Sequence, residues 1–167
     1  RKKLLLLLGS TLVTLLFAEG TYRMVQGQRG ANAGDDDWYR RYRNMNQTIY
    51  QRSPDSRLIY EPVRGASVQM EYGVAGFNAQ ALRDDRDTSS HAAPGVTRVA
   101  MLGDSLVWSE FLSLEDSLPR QVGAAVGSRY EVLNAGVTGY DTVQESIWYE
   151  RAVRPLHPDV VVLVYCM

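Results

Sequence analysis

The sequence predicts an α/β protein built on a parallel sheet, and three observations carry that expectation. VTRVAML from Val96 to Leu102, YEVLNA from Tyr130 to Ala135 and VVVLVYCM from Val160 to Met167 are short and nearly continuously apolar. Such runs read as strands buried on both faces. Stretches with helical spacing separate them, and strands alternating with helices imply right-handed crossovers with helices on both sides of the sheet. A length of 167 residues suits one hydrophobic core.

Taken in order, the first element is the opening RKKLLLLLGSTLVTLLFAEG, in which three cations precede fifteen uncharged residues from Leu4 to Ala18. A helix over those residues would measure about 22 Å, short of the roughly 30 Å hydrocarbon core of a bilayer. Residues 1–21 therefore read as a transmembrane anchor or a signal. The long apolar run without a clean small-x-small pair favours an uncleaved anchor, with a secreted form starting near Thr21 as the alternative. Basic residues ahead of the segment predict the remainder on the periplasmic or extracellular side, so the membrane is an expected partner.

Eighteen Lys and Arg against nineteen Asp and Glu give a net charge of -1, which argues against a nucleic-acid partner. The single cysteine, Cys166, excludes an internal disulfide framework and a multi-thiolate metal site.

Residues 22–95 read as a stalk followed by a small strand-containing accessory region. The acidic triplet Asp35 to Asp37 and the Arg and aromatic cluster Trp38 to Arg43 suit a solvated stalk or short helix; contact with lipid head groups or a glycan is the alternative. LIYEPV, ASVQMEYG and GFNAQALR are short extended pieces between Leu58 and Arg83, and Asp84 to Gly95 is a polar linker.

Residues 96–167 hold the α/β part. A helix is predicted near Ser117 to Val126, with Leu118, Val122 and Val126 on one face and Pro119 in its first turn. Thr142 with Glu145 forms a capping box for a helix through Val153, with Val143, Ile147 and Arg151 or Ala152 facing the sheet.

Chemistry in such a sheet gathers beyond the carboxyl ends of the strands. Gly103-Asp104-Ser105 follows the first strand and the Asn134 to Asp141 loop follows the second. A serine there presents its hydroxyl to the crevice, while backbone N–H groups of the next helix and its positive end face a developing oxyanion. Gly139 lets a second N–H approach without an obstructing Cβ. Gly-Asp is also ordinary turn chemistry, so the tripeptide alone is a weak signal.

LGDS at 102–105, NAGVTGYDT at 134–142 and PDVVVLVYCM at 158–167, preceded by YGVAGFNAQALRDD at 72–85, together resemble the GDSL-like or SGNH hydrolase superfamily, in its membrane-anchored bacterial envelope type. The resemblance implies a three-layer α/β/α parallel sheet of flavodoxin-like form, incomplete in this sequence, behind an N-terminal transmembrane helix. It makes Ser105 the nucleophile and an oxyanion N–H, Gly139 a second oxyanion N–H, and Asp104 an organiser of the turn. No cofactor or metal is implied. The family's block III asparagine and its Asp-x-x-His pair have no counterpart in these residues. His91 lies in the linker and His157 precedes the third strand, so neither matches the base. The apolar end of the sequence and the initial Arg1 suggest a truncated chain, inactive by itself. GDSLVWSEF at 103–111 departs from the usual residues after GDS; Trp108 and Phe111 read as core packing, with an acyl pocket as the alternative.

The implied activity is a serine esterase or O-acyl hydrolase acting on an acylated envelope carbohydrate or a similar ester. An O-acetyltransferase on the same fold and a noncatalytic envelope binding or polysaccharide-assembly module are the alternatives. A nucleotide-binding domain is disfavoured because neither GxGxxG nor a P-loop follows a strand.

Overall fold

A computed structural model describes residues 19–23 and 33–165. Two compact units divide the chain, Arg1–Tyr42 and Arg43–Met167. In the first, residues 19–23 are helical, with Arg23 paired to Glu19 at 2.8 Å. Helix α1, Ala33–Ile49, begins in the first unit, where Trp38 stacks on Tyr42 and Arg41 pairs with Asp37 at 2.6 Å one turn away.

The second unit begins with the last turns of α1, which bury Met45 and Ile49 completely. Two antiparallel pairs follow: β1 (Tyr50–Arg52) with β2 (Tyr60–Pro62), and β3 (Ser67–Met70) with β4 (Gly73–Gly76). The extended reading of GFNAQALR ends at Gly76. Beyond it the Asn78 carboxamide accepts the N–H groups of Gln80 and Leu82, a local bond that turns the chain instead of extending it.

The parallel sheet contains β5 (Thr97–Leu102), β6 (Tyr130–Asn134) and β7 (Val160–Leu163), in the order β6-β5-β7. Ala100 pairs with Leu133 on one side and Val161 on the other. One face of the sheet, with Ala100, Leu102 and Leu133, packs into a core shared with Leu58, Leu82, Trp148 and Val153. Helix α2 (Ser105–Trp108) and helix α3 (Leu118–Val126) connect β5 to β6. Helix α4 (Thr142–Trp148) runs into a π turn at Tyr149–Val153 and a 3-10 turn at Arg154–Leu156 before β7.

Several expectations are corrected. The described strands form three separate sheets, two of them antiparallel, and the arrangement is a mixed α/β domain. The three-layer, flavodoxin-like sandwich with an N-terminal transmembrane helix is not observed. A continuous apolar run predicts burial on both faces, yet every residue of β7 is 38–47% exposed, so among the described residues no second layer buries that strand. Among the described residues no helix is long and apolar enough to cross a membrane. Most of the expected anchor, residues 1–18, lies outside the described residues. On the finding for the described residues, the transmembrane anchor, the membrane as its partner and the membrane-anchored location are withdrawn.

Smaller corrections follow from competition between neighbours. Asp141, not Thr142, caps α4: its carboxylate accepts the Gln144 N–H at 2.9 Å, and the Gln144 side chain returns the bond to the Asp141 N–H at 3.1 Å. The shift moves Val143 to solvent, 65% exposed, while Ala152 is buried. In α3, Pro119 is buried and Gly123 lies against Val132, whereas Leu118 and Val126 are exposed.

Two arginines hold the ends of the sheet. Arg98, wholly buried, pairs with Glu131 at 2.8 Å and donates to the carbonyls of Ser89, Ser90 and Leu156 at its amino end. Arg83, 2% exposed, donates to the carbonyls of Trp108, Ser109 and Leu112, beyond the carboxyl end. Its guanidinium also lies 4.6 Å over the Trp108 ring. Burial lowers its pKa, and no carboxylate touches it among the described residues. Replacing Arg83 by Met removes the donor from the Trp108 and Leu112 carbonyls, while Ser109 keeps the Leu112 N–H at 3.2 Å, and is expected to cost about 3 kcal/mol, read as a lower urea midpoint at unchanged m-value.

Candidate functional site

The site grows from the turn after β5. A Cβ on Gly103 would lie 2.5 Å from Val107 Cγ2 and 2.9 Å from the Val164 carbonyl oxygen, so a side chain has no room there. Asp104 caps α2, its Oδ1 accepting the Leu106 N–H at 2.9 Å. Ser105 is the first residue of that helix and is half-buried; no hydrogen bond engages its hydroxyl among the described residues. The helix is one turn long, and Ser109, left-handed at φ 60°, ends it by donating its N–H to the Ser105 carbonyl. So short a helix carries little dipole, which weakens the expected contribution of its positive end.

The turn after β6 runs beside the first. Ala135 donates its N–H to Met101 at 2.9 Å and Val137 donates to Gly103 at 3.0 Å, extending the parallel pairing past the strand. On the other side Val164 donates to Leu102 at 2.9 Å. Gly136 makes the approach feasible: a Cβ there would overlap the Trp108 nitrogen and lie 2.7 Å from the Val107 carbonyl carbon. Gly139 has φ +77°, a conformation natural to glycine, and its N–H has no hydrogen-bond partner among the described residues.

Three tyrosines fix this second turn. Tyr60 donates its hydroxyl to the Thr138 carbonyl, and Tyr50 accepts the Thr138 N–H at 3.3 Å. Tyr140 donates to the Tyr60 carbonyl at 2.6 Å. Burial pushes all three hydroxyls above the ordinary phenol range, so they stay protonated. Glu145, in the first turn of α4, is buried, and burial followed by the negative charges of Asp104 and Asp141 raises its carboxyl pKa.

The sequence-predicted residues Asp104, Ser105 and Gly139 thus lie on two adjoining turns at one end of the sheet. The histidines do not join them. His91 and His157 stack on each other at 4.5 Å by the Arg98 end, at the amino edge of the strands. Trp108 is packing, 1% exposed and stacked on Phe77 at 4.6 Å; Phe111 is 44% exposed and meets Tyr72 edge-on. Among the described residues no cluster of three or more His, Cys, Asp or Glu is arranged to hold a metal ion.

No protein-family model and no curated protein matches the chain. The resemblance to the GDSL-like or SGNH hydrolases is withdrawn along with its membrane-anchored type, overturned by the mixed sheet arrangement and the lack of a long apolar helix among the described residues. Short blocks of turn and strand residues arise from the local demands of a strand-turn-helix unit, and they do not fix the architecture around it.

Sequence reasoning missed Arg83, Tyr50, Tyr60 and Glu145. For Glu145 a signal was present, since an Asp141 cap places it one residue after the box. No local signal ties either tyrosine to residue 138.

Gly136→Ala is expected to destabilise the protein by about 1–3 kcal/mol through overlap with the Val107–Trp108 backbone, measured by chemical denaturation. Glu145 has a raised folded-state pKa, so its protonated form contributes stability at low pH that is lost as pH rises through that value. Glu145→Gln should therefore be more stable than the original protein at pH 8, with the gap narrowing towards pH 4 in thermal melts.

Proposed function

We propose that the protein is a serine esterase or O-acyl hydrolase whose nucleophile is Ser105. The observation that carries the proposal is the pairing of the two strand-end turns through the Val137 N–H and Gly103 carbonyl. It brings the turn holding the Ser105 hydroxyl beside the turn holding the Gly139 N–H, both without a hydrogen-bond partner among the described residues.

In the reaction Ser105 Oγ bonds to the ester carbonyl carbon, and the carbonyl π pair moves onto oxygen. The N–H groups of Ser105 and Gly139 stabilise that oxyanion. Collapse of the intermediate releases the alcohol, and water cleaves the acyl-serine. Asp104 holds the turn through its bond to Leu106. The serine proton passes to a water molecule at the half-buried hydroxyl, and water protonates the departing alkoxide, since His91 and His157 lie at the other end of the sheet. Transfer of the acyl group to a sugar hydroxyl would differ only in the second nucleophile. The envelope carbohydrate expected as substrate depended on the withdrawn topology, so the substrate class is an acyl ester. The lack of a histidine at Ser105 favours a second reading, a noncatalytic binding module.

A fluorophosphonate probe should label Ser105, and Ser105→Ala should abolish labelling and lower p-nitrophenyl acetate hydrolysis by about 10³-fold. An unlabelled original protein would favour the binding module, and labelling that survives Ser105→Ala would remove Ser105 as nucleophile.

A further inference from the structure

We infer that Tyr60 is a positioning residue, which orients the Thr138–Gly139 peptide so that the Gly139 N–H is directed at the oxyanion. The inference rests on the proposed esterase reading. Thr138 C=O and Gly139 N–H belong to one peptide unit, and no cis peptide occurs among the described residues. In a planar trans peptide these two groups point in opposite directions. The Tyr60 hydroxyl holds the carbonyl, so the Gly139 N–H points away from the tyrosine ring.

Both sides of Thr138 are held. Tyr50, paired in β1 opposite Pro62, takes the Thr138 N–H, and Tyr60, in β2 opposite Arg52, takes its carbonyl. The β1-β2 ribbon therefore clips the loop at two successive peptide groups. Tyr60 is itself held, because its backbone carbonyl accepts the Tyr140 hydroxyl at 2.6 Å and its ring lies 5.4 Å from those of Tyr50 and Tyr140. A Cβ on Gly139 would meet the Tyr60 hydroxyl at 2.7 Å, so glycine at 139 and tyrosine at 60 are matched in space. Without the hydroxyl, the peptide is free to rotate at a glycine with φ +77° and the N–H loses its fixed direction. The preorganisation of an oxyanion donor is lost while the nucleophile stays in place.

The test is Tyr60→Phe, which keeps the ring and its packing. Hydrolysis of p-nitrophenyl acetate should show kcat lowered by about 10- to 100-fold with KM changed less than about twofold, and fluorophosphonate labelling of Ser105 should slow to match. Near-ultraviolet circular dichroism checks that the variant is folded. A purely structural role would alter stability and leave this split absent. If Ser105→Ala abolishes labelling but folded Tyr60→Phe keeps full kcat, the positioning role falls and the esterase reading stands. If the original protein is not labelled, or labelling survives Ser105→Ala, both fall together. Should Tyr60→Phe not fold, the Gly139 amide resonance of the original protein decides: phosphonylation of Ser105 should move its proton downfield, and an unmoved resonance overturns the inference.

Discussion

A buried guanidinium that no carboxylate touches among the described residues sets the terms near Ser105. Arg83 gives its N–H groups to the carbonyls of Trp108, Ser109 and Leu112, and its backbone N–H to Asn134 at 3.0 Å. One residue thus joins the loop after β4, the end of the serine-bearing helix and the end of β6. A cation taken out of water needs partners for its donors, and here main-chain carbonyls meet both terminal nitrogens without a second charge, while Nε has no partner among the described residues. Their positions become as fixed as the arginine itself. A helix of four residues would not persist on hydrogen bonds of its own, and here its last carbonyls gain a permanent partner.

The accessory ribbon is integral to the same arrangement. Tyr50 and Tyr60 hold the loop after β6, while Gln144 reaches from α4 to the Leu58 carbonyl at 3.0 Å. The sheet brings two turns together, and elements outside it decide how each turn is oriented. Arg98 performs the corresponding task at the far end, where it keeps the two histidines with Ser89, Ser90 and Leu156.

The apolar runs at 97–102, 130–134 and 160–163 were legible as parallel strands because burial and β geometry impose the same pattern. What covers a strand was not legible: four valine and leucine residues look alike whether a layer lies over them or not, and β7 is exposed. The cap of α4 was misread by one residue because Asp141 and Thr142 are both good caps, and the choice depends on Gln144 closing the box. Arg83 reads only as the last residue of the extended piece GFNAQALR, and the fold alone brings carbonyls around it. Of the site, the turns with Asp104, Ser105 and Gly139 could be located from strand ends. The tyrosines could not, since hydrogen bonding across distant segments leaves no local pattern.

The clip on Thr138 joins positions far apart in the chain. The Tyr60 and Tyr50 bonds to it span 78 and 88 residues, the Tyr140 bond to Tyr60 spans 80, and the Gln144 bond to Leu58 spans 86. Closing loops of that size carries a large entropic cost before any contact is gained, and long-range contacts slow folding. The orientation of the Gly139 turn is therefore secured by residues 50–60 as well as by its own segment, so its geometry belongs to the whole domain rather than to the strand that leads into it.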